Sequence, residues 1–307
     1  MNNPNNDRTD VDRSELKSTL LNPMGRYLCL IIALLAVCGN VTLPAQPQEA
    51  PAASAVTRKP NSRWERVVMV GASVSAGFTA AEPLGGPKTE PFRLSRYIDA
   101  AILPPHQLEN LASSMFFMQA EASGRRQIEA ATKSNPTLVL GVDFLFWFCY
   151  GEGTTDAQRL ARFEQGLKLL ETVQCPLVVG DIPDASAALG RMLRPEEMPS
   201  SQAMSSANRR LKEWAAKRPQ VIILELSKFM RTVAANQSLT IHGHDWPVGR
   251  TRVLLQGDNL HPSAPGCAVL TLAVLDAFQS ASPDVAADDI RWDPKELFMA
   301  GYKAPKK

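Results

Sequence analysis

The chain is poor in several features that would narrow its chemistry. Among 307 residues there are four histidines and five cysteines, the latter at positions 29, 38, 149, 175 and 267. The cysteines form no CxxC pair and no Cys/His cluster. Zinc sites and disulfide frameworks need such spacings, so no metal, and no organic cofactor, is expected. Charge of one sign is also missing: 33 Lys and Arg stand against 31 Asp and Glu, a net charge of +2. That balance gives no reason to expect a nucleic-acid or acidic partner.

Long apolar runs are scarce too. Leu28 through Val37 is uninterrupted, but ten residues fall short of the ~20 that span a membrane. Behind Arg26 the run fits the apolar part of a secretory signal, with Pro44-Ala45 as a cleavage site just beyond. Residues 1–45 therefore read as an N-terminal extension and signal, starting at Met1 or at Met24, and the protein as secreted or periplasmic. A lipoprotein through Cys38 or an uncleaved anchor are the alternatives, and membrane contact is expected only through this segment. Residues 46–65, rich in Ala, Pro, Gln and Ser at their start, read as a disordered linker.

From residue 66 onward the pattern becomes regular. Val67–Val70, Thr137–Val142, Pro176–Gly180 and Val221–Leu224 are short apolar runs, with a further strand expected between Ala100 and Leu111. Helical patterns lie between them: about Ser114 to Lys133, a helix capped at Thr155 with Leu160, Phe163, Leu167 and Leu170 inward, and Asn208 to Lys217. A last helix runs from Ala264 to about Phe278 behind Ser263 as cap. Strands without polar alternation, separated by helices, predict a parallel sheet covered on both faces. The expectation is one three-layer α/β/α domain over 66–280, with 281–307 as a tail on its surface.

Two motifs carry chemistry. Gly71-Ala72-Ser73-Val74-Ser75-Ala76-Gly77 follows the first strand, and Asp258-Asn259-Leu260-His261-Pro262 precedes the last helix. A serine on a tight Gly-bounded turn beyond a strand's carboxyl end projects into the crevice where ligands of such sheets collect. Asp258, three residues before His261, can accept from one ring nitrogen and leave the other to act as base. Alone, the first motif is a βα turn with a capping serine and the second a surface turn. Together they supply the three groups of a nucleophilic hydrolase.

At these residues the chain resembles the SGNH/GDSL hydrolases, over about residues 66–280. The resemblance implies a flavodoxin-like α/β/α fold, Ser73 as nucleophile, His261 as general base and Asp258 as its orienting group. It also implies an oxyanion hole formed by the backbone of Ser73, the backbone of Ala112 and the side chain of residue 143. Three positions depart from the family pattern. Ala72 stands where the family has Asp, Ala112 where it has a Gly whose backbone N–H serves the oxyanion hole, and Asp143 where it has an Asn that donates to the oxyanion. An ionised carboxylate cannot donate, so either Asp143 is protonated and serves there, or it points elsewhere, or activity is poor.

The aromatic residues 144–150 after this position divide between core and pocket wall. The reading is a secreted serine esterase or deacylase acting through an acyl-enzyme on a small-molecule or carbohydrate ester. An acyltransferase with the same triad, and a degenerate domain that binds a glycan or a partner without turnover, are the alternatives.

Overall fold

A strand that is apolar at every position must be covered on both faces, and the first strand shows how. Val67 and Met69 join one buried cluster, Val68 and Val70 another, because successive side chains point to opposite faces. The computed structural model describes residues 62–151 and 155–303. The expected signal, its expected cleavage site and the expected linker up to residue 61 lie outside the described residues.

Along the chain come β1 (Arg66–Met69), α1 (Ser73–Ala76), α2 (Leu94–Ala101), β2 (Gln107–Asn110), α3 (Ala120–Lys133) and β3 (Leu138–Gly141). Next are α4 (Phe146–Cys149), α5 (Asp156–Leu170), β4 (Leu177–Gly180), α6 (Ser201–Ala215), β5 (Val221–Leu224) and α7 (Leu226–Ala234). The hairpin β6 (Leu239–Ile241) and β7 (His244–Trp246) precedes α8 (Ala264–Ser280) and α9 (Pro294–Lys303). The large sheet has order β2-β1-β3-β4-β5 and is parallel throughout. Side chains of α2, α7, α8 and α9 fill one core; those of α3, α4, α5 and α6 fill the other. The architecture is the expected three-layer α/β/α, with the flavodoxin-like strand order. In that order the connections leave β1 and β3 on opposite sides of the sheet, which opens a crevice beyond their carboxyl ends.

The edges of the domain differ from expectation. Ser62–Trp64 forms a helical turn, and Trp64 is fully buried with its ring 5.2 Å from that of Phe278. The fold thus begins before residue 66. Residues 281–303 are no surface tail: Leu297 of α9 is fully buried in the core, and Arg291 N–H donates to Ala101 O at the end of α2. The third predicted helix begins earlier, at Ser201, because Ser200 accepts from Ala203 N–H and caps it. Thr155 and Gln158 cap α5 reciprocally, as its sequence predicts. On α5 the inward place expected for Leu160 goes to Arg159, whose guanidinium donates to the carbonyls of Cys149, Glu196 and Glu197.

Candidate active site

Ser73 opens α1, directly beyond β1. The turn that presents it is held from two sides. From α3, the buried Gln127 grips the peptide groups of Gly71: its Oε1 accepts Gly71 N–H at 2.7 Å and its Nε2 donates to Gly71 O at 3.0 Å. From the end of β3, Asp143 accepts from the N–H groups of Ala72 at 3.0 Å, Val74 at 2.8 Å and Ser75 at 3.4 Å, and from the Ser75 hydroxyl at 2.6 Å. This close approach explains Gly71, where a Cβ would lie 2.2 Å from Asp143 Oδ1. Ser75 is fully buried and spent on that bond, which leaves Ser73 as the accessible hydroxyl of the turn.

His261 comes from the loop before α8. Asp258 Oδ1 accepts the N–H groups of Leu260 at 2.9 Å and His261 at 3.0 Å, which folds the loop back on itself. Asn259 takes φ of 63° at the apex, a conformation that Asn tolerates. Asp258 Oδ2 lies 2.9 Å from His261 Nδ1, and His261 Nε2 lies 2.8 Å from Ser73 Oγ. A carboxylate only accepts, so Nδ1 carries the proton and Nε2 is free to take the one that Ser73 donates. Burial pushes the Asp258 pKa up, but the hydrogen bonds from the His261 ring and from the Leu260 and His261 N–H groups outweigh it and hold the pKa below the ordinary value. The face of the imidazole is covered by Phe78, stacked with a centroid separation of 4.1 Å. Gln256 Nε2 ties Phe78 O at 2.8 Å to Pro262 O at 2.9 Å, fixing that ring beside the histidine.

Ser73, Asp258 and His261, 188 residues apart at the extremes, thus meet in one line. The other two residues expected at the oxyanion are placed differently, and both readings are corrected. Asp143 is near the turn, but both its oxygens accept from it, so the side chain anchors the backbone rather than donating into the crevice. Burial raises its pKa, against the Ser75 hydroxyl and the three N–H groups; a proton on Oδ1 would meet Ser75 Oγ, not a substrate. Ala112 N–H is also committed, to Asn110 Oδ1 at 3.1 Å, in a turn that follows β2. Of the three expected donors, only Ser73 N–H has no acceptor among the described residues.

Sequence reasoning missed Gln127, Phe78 and Gln256. Gln127 had a signal: it lies in the buried stripe of α3 with Ser123, Gly124, Ile128 and Ala131, where an amide needs buried partners. Phe78 and Gln256 lie in loops and had none. Of the aromatic cluster, Phe144, Phe148 and Tyr150 are core, while Phe146 and the half-buried Trp147 wall an apolar crevice beside Ser73. Among the described residues no group of three or more His, Cys, Asp or Glu could hold a metal ion.

The Ser–His–Asp line thus lies at the switch-point crevice of a doubly wound α/β domain. No family model and no curated protein matches the chain. Solved structures do. One is a lipase/acylhydrolase from Enterococcus faecalis, at 16% identity, 75% coverage of this chain, 98% of the other and a TM-score of 0.47. Another is a variant of an acetyl xylan esterase from Geobacillus stearothermophilus, at 15% identity, 71% and 94% coverage and a TM-score of 0.43. A third is a GDSL-like lipase from Bacteroides thetaiotaomicron, at 13% identity, 74% and 92% coverage and a TM-score of 0.43.

Proposed function

We propose that the chain is a carboxylic ester hydrolase of the SGNH type that works through an acyl-enzyme on Ser73. The observation that carries this reading is the unbroken line from Asp258 through His261 to Ser73 Oγ, with contacts of 2.9 and 2.8 Å. His261 takes the Ser73 proton as the oxygen attacks the ester carbonyl, then returns it to the leaving alcohol. Water repeats the cycle on the acyl-enzyme. Asp258 holds the ring in the required tautomer and balances the imidazolium. Ser73 N–H faces the developing oxyanion.

A carbohydrate ester fits the surroundings. Beside Trp147 lies an open cleft of about 720 Å³, where the half-exposed Phe117 meets Trp147 at 5.7 Å among Gln119, Arg125 and Gln165. Aromatic faces with hydrogen-bonding neighbours suit sugar rings. Export through the Arg26-led apolar run is part of the proposal, tested by N-terminal sequencing of protein recovered outside the producing cytoplasm.

The committed positions of Asp143 and Ala112 favour a second reading, an ester- or glycan-binding domain with little turnover, because removal of one oxyanion donor costs ~3–4 kcal/mol. A fluorophosphonate probe separates the two. Covalent labelling of the wild type that disappears in Ser73→Ala is expected. An unlabelled wild type refutes the hydrolase reading, and a labelled Ser73→Ala refutes the assignment of the nucleophile.

A further inference from the structure

The crevice beside Ser73 has an unusual proportion. Its volume is about 30 Å³, whereas the cleft across Trp147 is about 720 Å³. The crevice thus offers only a small fraction of the cleft's space, enough for a small apolar group and too little for a long chain. Its far wall is Leu226, Phe229 and Met230 of α7 together with Leu270 of α8. All four belong to the core that α7 and α8 build against the sheet, and none is more than 8% exposed. The wall is also anchored. Asp181, after β4, accepts Ser227 N–H at 2.6 Å and the Ser227 hydroxyl at 2.5 Å at the start of α7. Of the lining side chains only Ser73, Asp143 and Trp147 carry polar atoms, and the oxygens of Asp143 are occupied by the turn. An alcohol with several hydroxyl groups would find few partners there, and a buried polar group without one is costly.

Given the nucleophile assigned above, we infer that this crevice is the acyl site, and that it admits an acetyl group while excluding chains of four carbons or more. Met230 and Phe229 set the limit. The acetyl methyl occupies the crevice, the carbonyl carbon sits at Ser73 Oγ, and the alcohol leaves toward the Trp147 side. Two further methylenes have to push into packed core side chains, which lowers kcat/KM for them by about tenfold or more.

The test is the chain-length profile on p-nitrophenyl acetate, butyrate and octanoate. Wild type is expected to prefer acetate over butyrate by at least about tenfold and to leave octanoate essentially untouched. Met230→Ala should invert the butyrate-to-acetate ratio. Phe229→Leu provides a second opening if the first variant folds poorly. A wild type that prefers butyrate or octanoate overturns the inference, and so do two folded variants with an unchanged ratio. Failure on all three esters would count against the hydrolase reading instead. The crevice is then read without turnover, from the Met230 methyl NMR signal titrated with acetamide, butyramide and octanamide. A response to acetamide alone supports the size limit, whereas an equal or larger response to the longer amides, or none to any, refutes it.

Discussion

On one side of Ser73 stands an unbroken hydrogen-bonded line through His261 to Asp258; on the other, N–H donors free to meet an anion are few among the described residues. His261 is buried, hydrogen-bonded at Nδ1, bonded to Ser73 at Nε2 and covered by Phe78. Every contact there orients the imidazole. Around the position of the oxyanion, by contrast, Ala112 N–H is held by Asn110 and the Asp143 carboxylate faces the backbone. Both carboxylates near the site do the same local job, accepting N–H groups of a tight turn, yet with different consequences. Asp258 keeps one oxygen for the histidine, whereas Asp143 gives both to the turn. In the mechanism proposed above, one carboxylate would act on the chemistry directly and the other only through the position of Ser73.

That contrast predicts unequal penalties. Asp258→Asn has the largest expected effect. An amide NH₂ facing His261 Nδ1 favours the tautomer with the proton on Nε2, which can no longer accept from Ser73. kcat on an acetyl ester should fall by about 10⁴ while the fold persists. A loss smaller than tenfold would mean that the loop and Phe78 orient His261 without Asp258.

Asp143→Asn comes next. A protonated Asp143 donating to the oxyanion would predict a faster Asn variant; the geometry predicts a slower one. In either amide orientation the NH₂ faces at least one backbone N–H of the turn, which loses its acceptor. Stability should drop by ~1–3 kcal/mol and kcat by roughly ten- to a hundredfold as Ser73 shifts, with KM less affected. A rise in kcat/KM would restore the donor role. The two carboxylates also separate by pH. The Asp258 pKa is lowered on folding, so its contribution to stability is present above the unfolded value and is lost as pH falls through the native one. The Asp143 pKa is raised, so the native state holds the extra proton and stability declines as pH rises from about 4 toward the native value. In acid, unfolding free energies of wild type minus Asp258→Asn should therefore rise with pH, and wild type minus Asp143→Asn should fall. Each slope is bounded by about 1.4 kcal/mol per pH unit. Parallel slopes would contradict the contrast.

The differences in legibility have the same origin. β1, β3, β4 and β5 could be read as strands because burial on both faces removes polar residues from them, a local signal. The Ser73 turn and the Asp258–His261 loop could be read because their glycines, Asp and His act within five to seven residues of one another. The role of Asp143 could not be read in this way. Its place after β3 was legible, but whether its oxygens face the β1–α1 turn or the crevice depends on a contact across 71 residues. The same holds for Gln127, 56 residues from Gly71, and for Trp64 and Leu297, whose burial depends on helices far along the chain. The hairpin β6–β7, with strands of three residues, has too short a pattern to show periodicity.

The smallest expected effect falls on the best-built side of the site. Phe78 stacks on His261 with an interplanar angle of 24°, but its carbonyl is held independently by Gln256. Phe78→Leu therefore removes the ring contact and leaves the backbone in place. Such contacts are worth ~0.5–1.5 kcal/mol, which corresponds to a fall of about 1–6 °C in Tm for a domain of this size. Because Asp258 still fixes Nδ1, the imidazole loses only part of its restraint, and the rate of fluorophosphonate labelling should fall by about two- to tenfold. Leucine keeps the ring covered and water excluded, so an effect of this size isolates orientation by stacking. If labelling slows more than a hundredfold while Tm moves by only these few degrees, Phe78 restrains the base as strongly as Asp258 does, and the carboxylate no longer stands alone on the proton-transfer side. If labelling is unchanged while Tm falls, the stack serves the fold, and the loop geometry set by Asp258 is sufficient to aim the imidazole at Ser73.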